Sequence, residues 1–357
     1  ALFGIKAVAF GGSHDSSHCN LAYAIQQIIE EIVIKMAKEA KRLTKSDYLC
    51  MAGGVALNCV ANGKLVKESI FKEVFIQPAA GDAGGSIGSA LLASHMFFDM
   101  PRKANEGSDS MNGGYLGPAF SDKEIKVTLK KHKAVFSQFE SFESLCPSVA
   151  EALDSGLVVG WFQGRMEYGP RALGNRSILA DPRGKDMQKK LNLKIKYREG
   201  FRPFAPSVKL EEADKYFDLK SPSPYMLLIA DVKNSADREM DGYYELDMWD
   251  KLYADRGALQ SITHVDYTAR VQTVAKEVNH EFWALLDAFQ EVSGCGVLIN
   301  TSFNVRGEPI VCTPDDAYRC FMNTEMDWLV MNNFVLKKES QPNWNNKELW
   351  NIQYEDD

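Results

Sequence analysis

The sequence of 357 residues predicts an α/β protein, and three features support this fold class. Apolar runs of strand length, LVVGWF at 157–162 and GCGVLIN at 294–300, are typical of strands covered on both faces. Two strand–glycine turn–helix units follow one another in the N-terminal third. A long stretch at 21–42 has apolar side chains at helical spacing. The length is sufficient for two domains.

The first strand–turn–helix unit begins after that helix, which ends in basic residues as helix C-termini prefer. YLCMA at 48–52 predicts a short strand that runs into Gly53 and Gly54. We expect the following helix to begin near Leu57. The two glycines could close on a phosphate at the helix N-terminus, but close packing of helix and strand explains them equally well.

The second unit has the same form. KEVFIQ at 72–77 predicts a strand, and the glycine-rich turn that begins at Gly81 leads into another helix. Asp82 lies in this turn, where a carboxylate repels phosphate unless a metal bridges the two. The alternative is that Asp82 caps the helix.

Beyond these units, residues 101–118 are rich in Pro, Gly and Ser and are the best candidate for a linker. A helix is expected at 122–132. Residues 233–262 are acidic and aromatic, and predict either a lid or a solvated insertion. The tail from Pro342 lacks periodicity.

Composition excludes several classes of protein. Apolar residues make up 45% and charged residues 25%, as in globular proteins, and the net charge of −7 gives no global attraction to nucleic acid or anionic membranes. No run approaches the ~20 apolar residues of a membrane span, and no signal peptide is evident. Seven cysteines without a CxxC pattern predict reduced, mostly buried thiols of a cytoplasmic protein.

Basic residues nevertheless concentrate in one segment. From Arg165 to Arg202 there are eleven Lys/Arg and four Asp/Glu, a net charge of +7 over 38 residues. Glycines and prolines interrupt this segment; glycine lets backbone N–H groups approach an anion, and arginine offers a bidentate fork to phosphate. We expect a pocket of nucleoside triphosphate size, without the GxxxxGK[ST] pattern of a P-loop. The alternative is that the arginines pair with carboxylates across a domain interface.

Two further stretches suit such a pocket. Asn300 to Asn304 follow a predicted strand, and strand ends are where open α/β sheets place ligands, although turn formation alone also explains these side chains. HVDYTARVQTV contains Arg270, which could reach phosphate, and His264, which alone is more typical of a structural histidine. His14 and His18 have the spacing of metal ligands on a helix, but no third ligand is nearby.

Seven stretches together resemble one family, the nodulation-type and antibiotic-tailoring O-carbamoyltransferases. They are MAGGVALNCVANGKL, IQPAAGDAGGSIGSALL, GYLGP, GWFQGRMEYGPRALGNRSILADPR, FRPFAPSV, HVDYTARVQTV and INTSFNVRGEPIVCTPDDA. They span nearly the whole chain in one order.

The resemblance implies two fused modules. Residues 1–105 would be the second lobe of an actin-like, sugar-kinase-type transfer domain, 106–118 a linker, 119–345 a YrdC-like twisted-sheet α/β domain, and 346–357 a tail. The YrdC-like domain would use ATP, with Mg²⁺, and carbamoyl phosphate to form carbamoyl adenylate, releasing pyrophosphate and phosphate. The first module would pass the carbamoyl group to the hydroxyl of a sugar or another small molecule.

The resemblance also assigns roles to residues. Lys196, Arg202 and Ser302 would be catalytic and would hold phosphate. The nucleotide and carbamoyl phosphate would be bound by Arg165, Arg171, Arg176, Arg270, Asn300, Thr301, Asn304, Gly53, Gly54 and Gly81.

The sequence departs from the family pattern at its N-terminus. The family's metal-binding histidines lie upstream of anything present here, so Asp82, which matches an acidic ligand of a divalent metal such as iron, would lack its partners. We therefore expect an intact adenylate-forming half and a transfer half that needs a missing N-terminal lobe or a partner chain. The competing interpretation is a non-catalytic nucleotide- or phosphate-binding module. Nucleic acid binding is disfavoured, because aromatic residues are not interleaved with the basic ones.

Overall fold

The computed structural model describes residues 3–6, 8, 14–103, 109–233 and 242–344. The expected tail, part of the expected linker and part of the 233–262 segment lie outside these residues. The helices are α1 (Ser16–Thr44), α2 (Cys59–Lys67), α3 (Gly84–Leu92), α4 (Asp122–Lys131), α5 (Phe142–Asp154), α6 (Met187–Lys194), α7 (Ala213–Tyr216), α8 (Met248–Tyr253), α9 (His280–Ser293) and α10 (Pro314–Asn323). The strands are β1 (Tyr48–Met51), β2 (Glu73–Ile76), β3 (Ser137–Gln138), β4 (Val159–Phe162), β5 (Arg176–Ala180), β6 (Ala205–Lys209), β7 (Phe217–Asp218), β8 (Leu228–Val232), β9 (Thr268–Val274), β10 (Val297–Ser302), β11 (Trp328–Met331) and β12 (Phe334–Lys337).

The N-terminal lobe (residues 14–103) contains α1 to α3 and a two-stranded parallel sheet in which Tyr48 is paired with Glu73. The expected helix over 21–42 is confirmed but is longer at both ends. It begins after Asp15, whose carboxylate accepts the backbone N–H groups of Ser17 and His18. It ends where Lys45 adopts a left-handed conformation, with φ 58°.

Both glycine turns of this lobe lead into helices, as expected. After β1, residues Gly54–Leu57 form one 3₁₀ turn, and α2 begins only after Asn58, whose side chain accepts the N–H of Ala61 at 3.1 Å. The start of this helix near Leu57 is thus correct to within two residues. Asp82 does not cap α3, because the residue that precedes this helix, Ala83, makes no side-chain cap.

The C-terminal module (residues 109–344) is built on a ten-stranded mixed sheet of order β3-β12-β11-β4-β5-β10-β6-β9-β8-β7. The two apolar runs form β4, which is buried along its whole length, and β10, which lies between β5 and β6. The expected helix at 122–132 is α4, and Ser121 begins it with a capping box. The α/β fold class is therefore confirmed. No helix within the described ranges combines the length and apolar character of a membrane span.

The described part of the expected linker packs against the C-terminal module. Tyr225 donates its hydroxyl proton to the Asp109 carboxylate at 2.6 Å, and the backbone N–H of Gly117 donates to Met166 O at 2.9 Å. Met111 in this stretch is buried. Residues 109–118 are thus an ordered part of the module, although their composition resembles that of a solvated linker.

The lobe and the module share a packed boundary. Gly63 of α2 faces β8 so closely that a Cβ there would lie 2.5 Å from Ile229 Cγ1. Asn62, also on α2, donates to Leu227 O at 3.2 Å. One apolar cluster contains buried residues of both parts, including Ile76 and Met226. This boundary holds the N-terminus of α2 against the end of the large sheet.

The seven cysteines, all within the described ranges, are not joined in disulfides. The expectation that most are buried is wrong, because only Cys146, Cys295 and Cys320 are.

Candidate functional site

A cavity of about 460 Å³ lies at this boundary, where the carboxyl end of β10 meets β9 and the N-terminus of α2. We call it the arginine pocket. Its lining residues are Cys59, Val60, Pro170, Arg171, Ala172, Arg198, Arg202, Pro203, Phe204, Ala205, Met226, His264, Arg270, Asn300, Thr301 and Ser302. Cys59 and Val60 come from the N-terminal lobe and the others from the C-terminal module.

The turn that carries Arg171 is shaped by one carboxylate. Glu167 is buried, and its Oε1 accepts the backbone N–H groups of Leu173 at 2.7 Å, Asn175 at 2.8 Å and Arg176 at 3.2 Å. Gly174 has φ 108°, and a Cβ there would lie 2.2 Å from the Phe282 ring. The turn therefore needs glycine at this position, and its fold presents Arg171 to the cavity.

Three of the four arginines that line the pocket lack an acidic partner in the described ranges. Among the described residues, no carboxylate forms an ion pair with Arg171, Arg198 or Arg270. Burial, and then the neighbouring Arg270, lower the pKa of Arg171 to about 10. Burial also lowers the pKa of Arg270, and burial together with Arg202 and Arg270 lowers that of Arg198 to about 10. The guanidinium groups are thus close enough to repel one another, and a bound anion would relieve that repulsion.

Arg202 differs from these three. It is exposed, and its Nε donates to Glu199 Oε2 at 3.0 Å. Glu199 also pairs with Arg306 at 3.3 Å. Arg202 thus lies at the rim of the pocket, where its charge is partly neutralised.

Lys196 does not line the cavity but supports its floor. Its side chain is buried, and the N–H groups of Nζ are shared among four oxygens, namely the Ser302 carbonyl, Ser302 Oγ at 3.1 Å, Asn304 O at 3.0 Å and Asn304 Oδ1 at 2.7 Å. Burial, and then the nearby Arg198, lower the pKa of Lys196 to about 7. The ammonium group therefore fixes the turn that follows β10.

Asn300, Thr301 and Ser302 all reach the pocket from β10, as expected for residues at a strand end. The amide of Asn300 is held in place, because Nδ2 donates to Ser207 Oγ at 3.1 Å and Gln272 Oε1 at 2.9 Å. Asn304 lies beside the pocket and supports it through Lys196.

Arg176 and Arg165 were predicted as ligand-binding residues, but neither lines the arginine pocket. Arg176 is fully buried, its guanidinium lies 3.6 Å from the centre of the Phe162 ring, and it donates to four backbone carbonyls, including that of Gln163 at 2.6 Å. Arg165 is exposed, and donates to Tyr115 O at 3.2 Å and Leu116 O at 3.1 Å. Both arginines hold backbone segments together and do not line the arginine pocket.

The glycines of the N-terminal lobe form a separate cluster. Gly53 donates its N–H to Ala80 O at 2.8 Å, which brings the two glycine turns together. Neither Gly53, Gly54 nor Gly81 lines the arginine pocket. The prediction that they bind the same nucleotide as the arginines therefore lacks support from the geometry.

The residues that are present do not fit a metal ion. Asp82 is exposed, and the described part of the chain holds no group of three His, Cys, Asp or Glu residues that could bind one. Both ring nitrogens of His18 face oxygen acceptors, Asp15 Oδ1 at 2.7 Å and Lys6 O at 2.9 Å. The His14–His18 spacing therefore does not produce a metal site here.

Several pocket residues were not in the predicted set, among them Arg198, His264, Cys59 and Val60. Arg198 follows Lys196 by two positions in the same basic stretch, and that proximity was the available signal. Cys59 and Val60 lie on the other lobe, and no local pattern in the sequence indicates that α2 would reach β10.

Comparisons with known proteins agree with this organisation. The family described as "Carbamoyltransferase N-terminus" matches residues 1–91, and "Carbamoyltransferase C-terminus" matches residues 150–338. The second match includes every described residue of the arginine pocket except Cys59 and Val60, which lie within the first.

Curated relatives are similar along most of this chain. The protein sll1178 of Synechocystis is 52% identical over 94% of this chain and 55% of its own length. Nodulation protein NolNO of Sinorhizobium fredii is 37% identical over 90% of this chain and 44% of its own. The 3'-hydroxymethylcephem-O-carbamoyltransferase of Amycolatopsis lactamdurans is 32% identical over 85% of this chain and 51% of its own. The chain thus spans about half the length of the curated relatives it matches.

Among solved structures, full-length HypF in its phosphate- and nucleotide-bound form is 14% identical, covers 74% of this chain and 36% of that chain, and has a TM-score of 0.33. At that score the likeness supports no inference. The matches to the two family descriptions are sufficient by themselves, and the chain belongs to the carbamoyltransferase family.

Proposed function

We propose that the arginine pocket binds ATP and carbamoyl phosphate and forms carbamoyl adenylate, whose carbamoyl group is then passed to a hydroxyl of a small-molecule or sugar acceptor. The observation that carries this proposal is the convergence of Arg171, Arg198 and Arg270 on one cavity. All three are partly buried, and none forms an ion pair with a carboxylate in the part of the chain that the structure describes. The chain's membership of the carbamoyltransferase family and its similarity to a cephem O-carbamoyltransferase support it.

The chemistry explains why such a pocket is needed. ATP, carbamoyl phosphate and one water molecule give carbamoyl adenylate, pyrophosphate and phosphate. Water attacks the phosphorus of carbamoyl phosphate and breaks its bond to the carbamate oxygen, which gives phosphate and carbamate. A carbamate oxygen then forms a bond to the α-phosphorus of ATP, and the bond from that phosphorus to the departing pyrophosphate breaks. Fixed guanidinium groups neutralise the converging negative charges with little reorganisation, and joint binding of two small reactants supplies orientation.

Each group at the pocket has a role in this proposal. Arg171, Arg198 and Arg270 bind the phosphates, and Arg202 assists from the rim. Thr301 offers a hydroxyl donor at the floor, and Ser302, whose own proton is donated to Asn304 Oδ1, helps to shape that floor. Lys196 holds the Ser302–Asn304 turn beneath the ligand and is a positioning residue.

The two parts of the chain would divide the reaction. We assign adenylate formation to a YrdC-like domain at 119–345 and transfer to a partial actin-like lobe at 1–105, joined through 106–118. The separate family matches to the two regions support such a division. Since the described residues do not fit a metal ion, no step is assigned to one, and transfer would need a further lobe or a partner chain.

The test is an assay of pyrophosphate release with ATP, Mg²⁺ and carbamoyl phosphate. We expect release that depends on carbamoyl phosphate and that is lost in Lys196→Ala, while Lys190→Ala, which removes a lysine paired with Asp327 at the surface, keeps it. If ATP binds but release does not depend on carbamoyl phosphate, the proposal fails. The non-catalytic phosphate-binding interpretation then takes its place.

A further inference from the structure

His264 differs chemically from the arginines of the arginine pocket. Arginine side chains are hydrogen-bond donors without an acceptor atom, and four of them line the cavity. His264 lines the same cavity, and a neutral imidazole has one nitrogen that accepts. Which nitrogen accepts depends on where the proton is held.

A chain of hydrogen bonds fixes that proton. The Thr268 hydroxyl donates to Asp266 Oδ1 at 2.7 Å, because a carboxylate can only accept. A hydroxyl has a single proton, so Thr268 Oγ1 must accept from its other partner, His264 Nδ1, at 3.2 Å. The proton of His264 is therefore on Nδ1, and the lone pair is on Nε2. Nε2 makes no hydrogen bond to any residue in the described ranges.

The surroundings keep His264 neutral. Burial lowers its pKa; the Asp266 carboxylate opposes this effect, and Arg270 and Arg256 add to it. Nε2 is consequently an acceptor inside a pocket whose other charged groups are donors. An anionic ligand satisfies the arginines with its oxygens, but only a ligand that also carries a hydrogen-bond donor satisfies His264.

The position of His264 indicates which donor this is. His264 lies near Arg270, and Arg270 in turn interacts with the Cys59 thiol of the N-terminal lobe. Arg202, on the rim, lies beside Arg198. Since the carbamoyl group has to move towards the N-terminal lobe, its place is at the Arg270 end of the pocket.

We propose that His264 Nε2 accepts a hydrogen bond from the amino group of carbamoyl phosphate and so selects this donor over acetyl phosphate, in which a methyl group replaces the amino group. This inference rests on the proposed function. A methyl group would leave the imidazole nitrogen desolvated without a partner, and sites built around such a hydrogen bond reject analogues that lack it.

The test is calorimetric titration of carbamoyl phosphate and acetyl phosphate into the wild type, His264→Phe and His264→Gln. We expect the wild type to prefer carbamoyl phosphate by about tenfold or more. His264→Phe should lose that preference while its affinity for acetyl phosphate stays the same. His264→Gln, which keeps an acceptor, should retain part of it. Thr268→Val should reduce the preference by freeing Nδ1, and Thr268→Ser should restore it.

Two outcomes would overturn the inference. In one, His264→Phe weakens both donors equally; in the other, it weakens ATP binding alone, which would place the nucleotide at Nε2. Each variant is first shown to be folded by a cooperative thermal unfolding transition, so that a loss of binding is not caused by misfolding. If the wild type prefers carbamoyl phosphate through His264 but releases no pyrophosphate, the proposed reaction fails and this recognition stands.

Discussion

The ammonium group of Lys196 donates to Asn304 Oδ1 at 2.7 Å, although the two residues are 108 positions apart in the chain. The Ser302 hydroxyl donates to the same oxygen at 2.7 Å, and Asn304 Nδ2 donates to Glu308 O at 2.6 Å. Lys196 thus joins the basic segment to the turn after β10. The pocket floor depends on this buried lysine as well as on the strand.

The first prediction concerns pH and Lys196. Its pKa falls from an ordinary 10.5 to about 7, chiefly through burial, so between these values the unfolded chain holds a proton that the folded protein does not. The free energy of unfolding should therefore rise with pH across this window. In Lys196→Met that contribution is absent, so the difference in unfolding free energy between wild type and variant should increase from pH 7 to pH 10. Urea denaturation at several pH values measures it. A difference that stays constant or shrinks would contradict the shift.

The second prediction separates binding from stability at Arg171. Its guanidinium is partly buried beside Arg270, and Nε is buried without a hydrogen bond to any residue the structure describes. Arg171→Met should weaken ATP binding at least tenfold, because one charge-assisted contact is worth about 1.5–3 kcal/mol. The same change should leave the ligand-free protein as stable as the wild type or more so. Calorimetric titration measures ATP binding, and thermal unfolding without ligand measures stability. A clear loss of stability in Arg171→Met would contradict the view that this arginine has no acidic partner in the described part of the ligand-free protein.

The third prediction uses Arg176 as the contrasting case. Arg176→Met removes the same charge but leaves carbonyl groups, including those of Gln163 and Asn175, without their donor. We expect a loss of about 2–4 kcal/mol in the free energy of unfolding, since buried groups lose their partners. Denaturant titration of Arg176→Met and Arg171→Met, each compared with the wild type, measures this loss. Equal stability of the two variants would show that Arg176 had been assigned the wrong role.

The fourth prediction tests the boundary between lobe and module. Gly63→Ala on α2 would place a Cβ 2.9 Å from Ile229 O, so α2 must move away from β8. We expect lower stability and weaker ATP binding, because Cys59 and Val60 at the start of this helix line the pocket. Gly88→Ala is the matched control: it lies in α3 with no atom near the added Cβ, and should stabilise by up to about 1 kcal/mol. If Gly63→Ala behaves like Gly88→Ala, the boundary does not shape the pocket.

Much of the fold could be predicted from the sequence, because local patterns determine it. The buried run at 157–162 became β4. The periodic stretch at 21–42 became α1, in which Asp15 caps the first turn and only Glu30 and Ala37 are buried. The composition of the glycine- and proline-rich stretch before residue 119 does not show how it packs, since turn-forming residues do not reveal whether a turn is solvated. Its contact between Asp109 and Tyr225 depends on tertiary packing.

The site was predicted less completely than the fold. A count of charges located the basic segment, but it could not give the direction of each side chain. Arg171 lines the cavity. Arg176, five residues later, is buried in the core, where it stacks on the Phe162 ring and donates hydrogen bonds to four backbone carbonyls. The role of Lys196 as a support also depends on a contact distant in sequence.

The central claim is that the unpaired arginines hold ATP beside carbamoyl phosphate. Its most direct test is calorimetric titration of α,β-methylene ATP into wild type and Arg270→Met, each with and without saturating carbamoyl phosphate. The account predicts that the wild type binds the nucleotide in both conditions and that Arg270→Met binds it at least tenfold more weakly. Equal affinity of the two proteins, or exclusion of the nucleotide by carbamoyl phosphate, would contradict the claim.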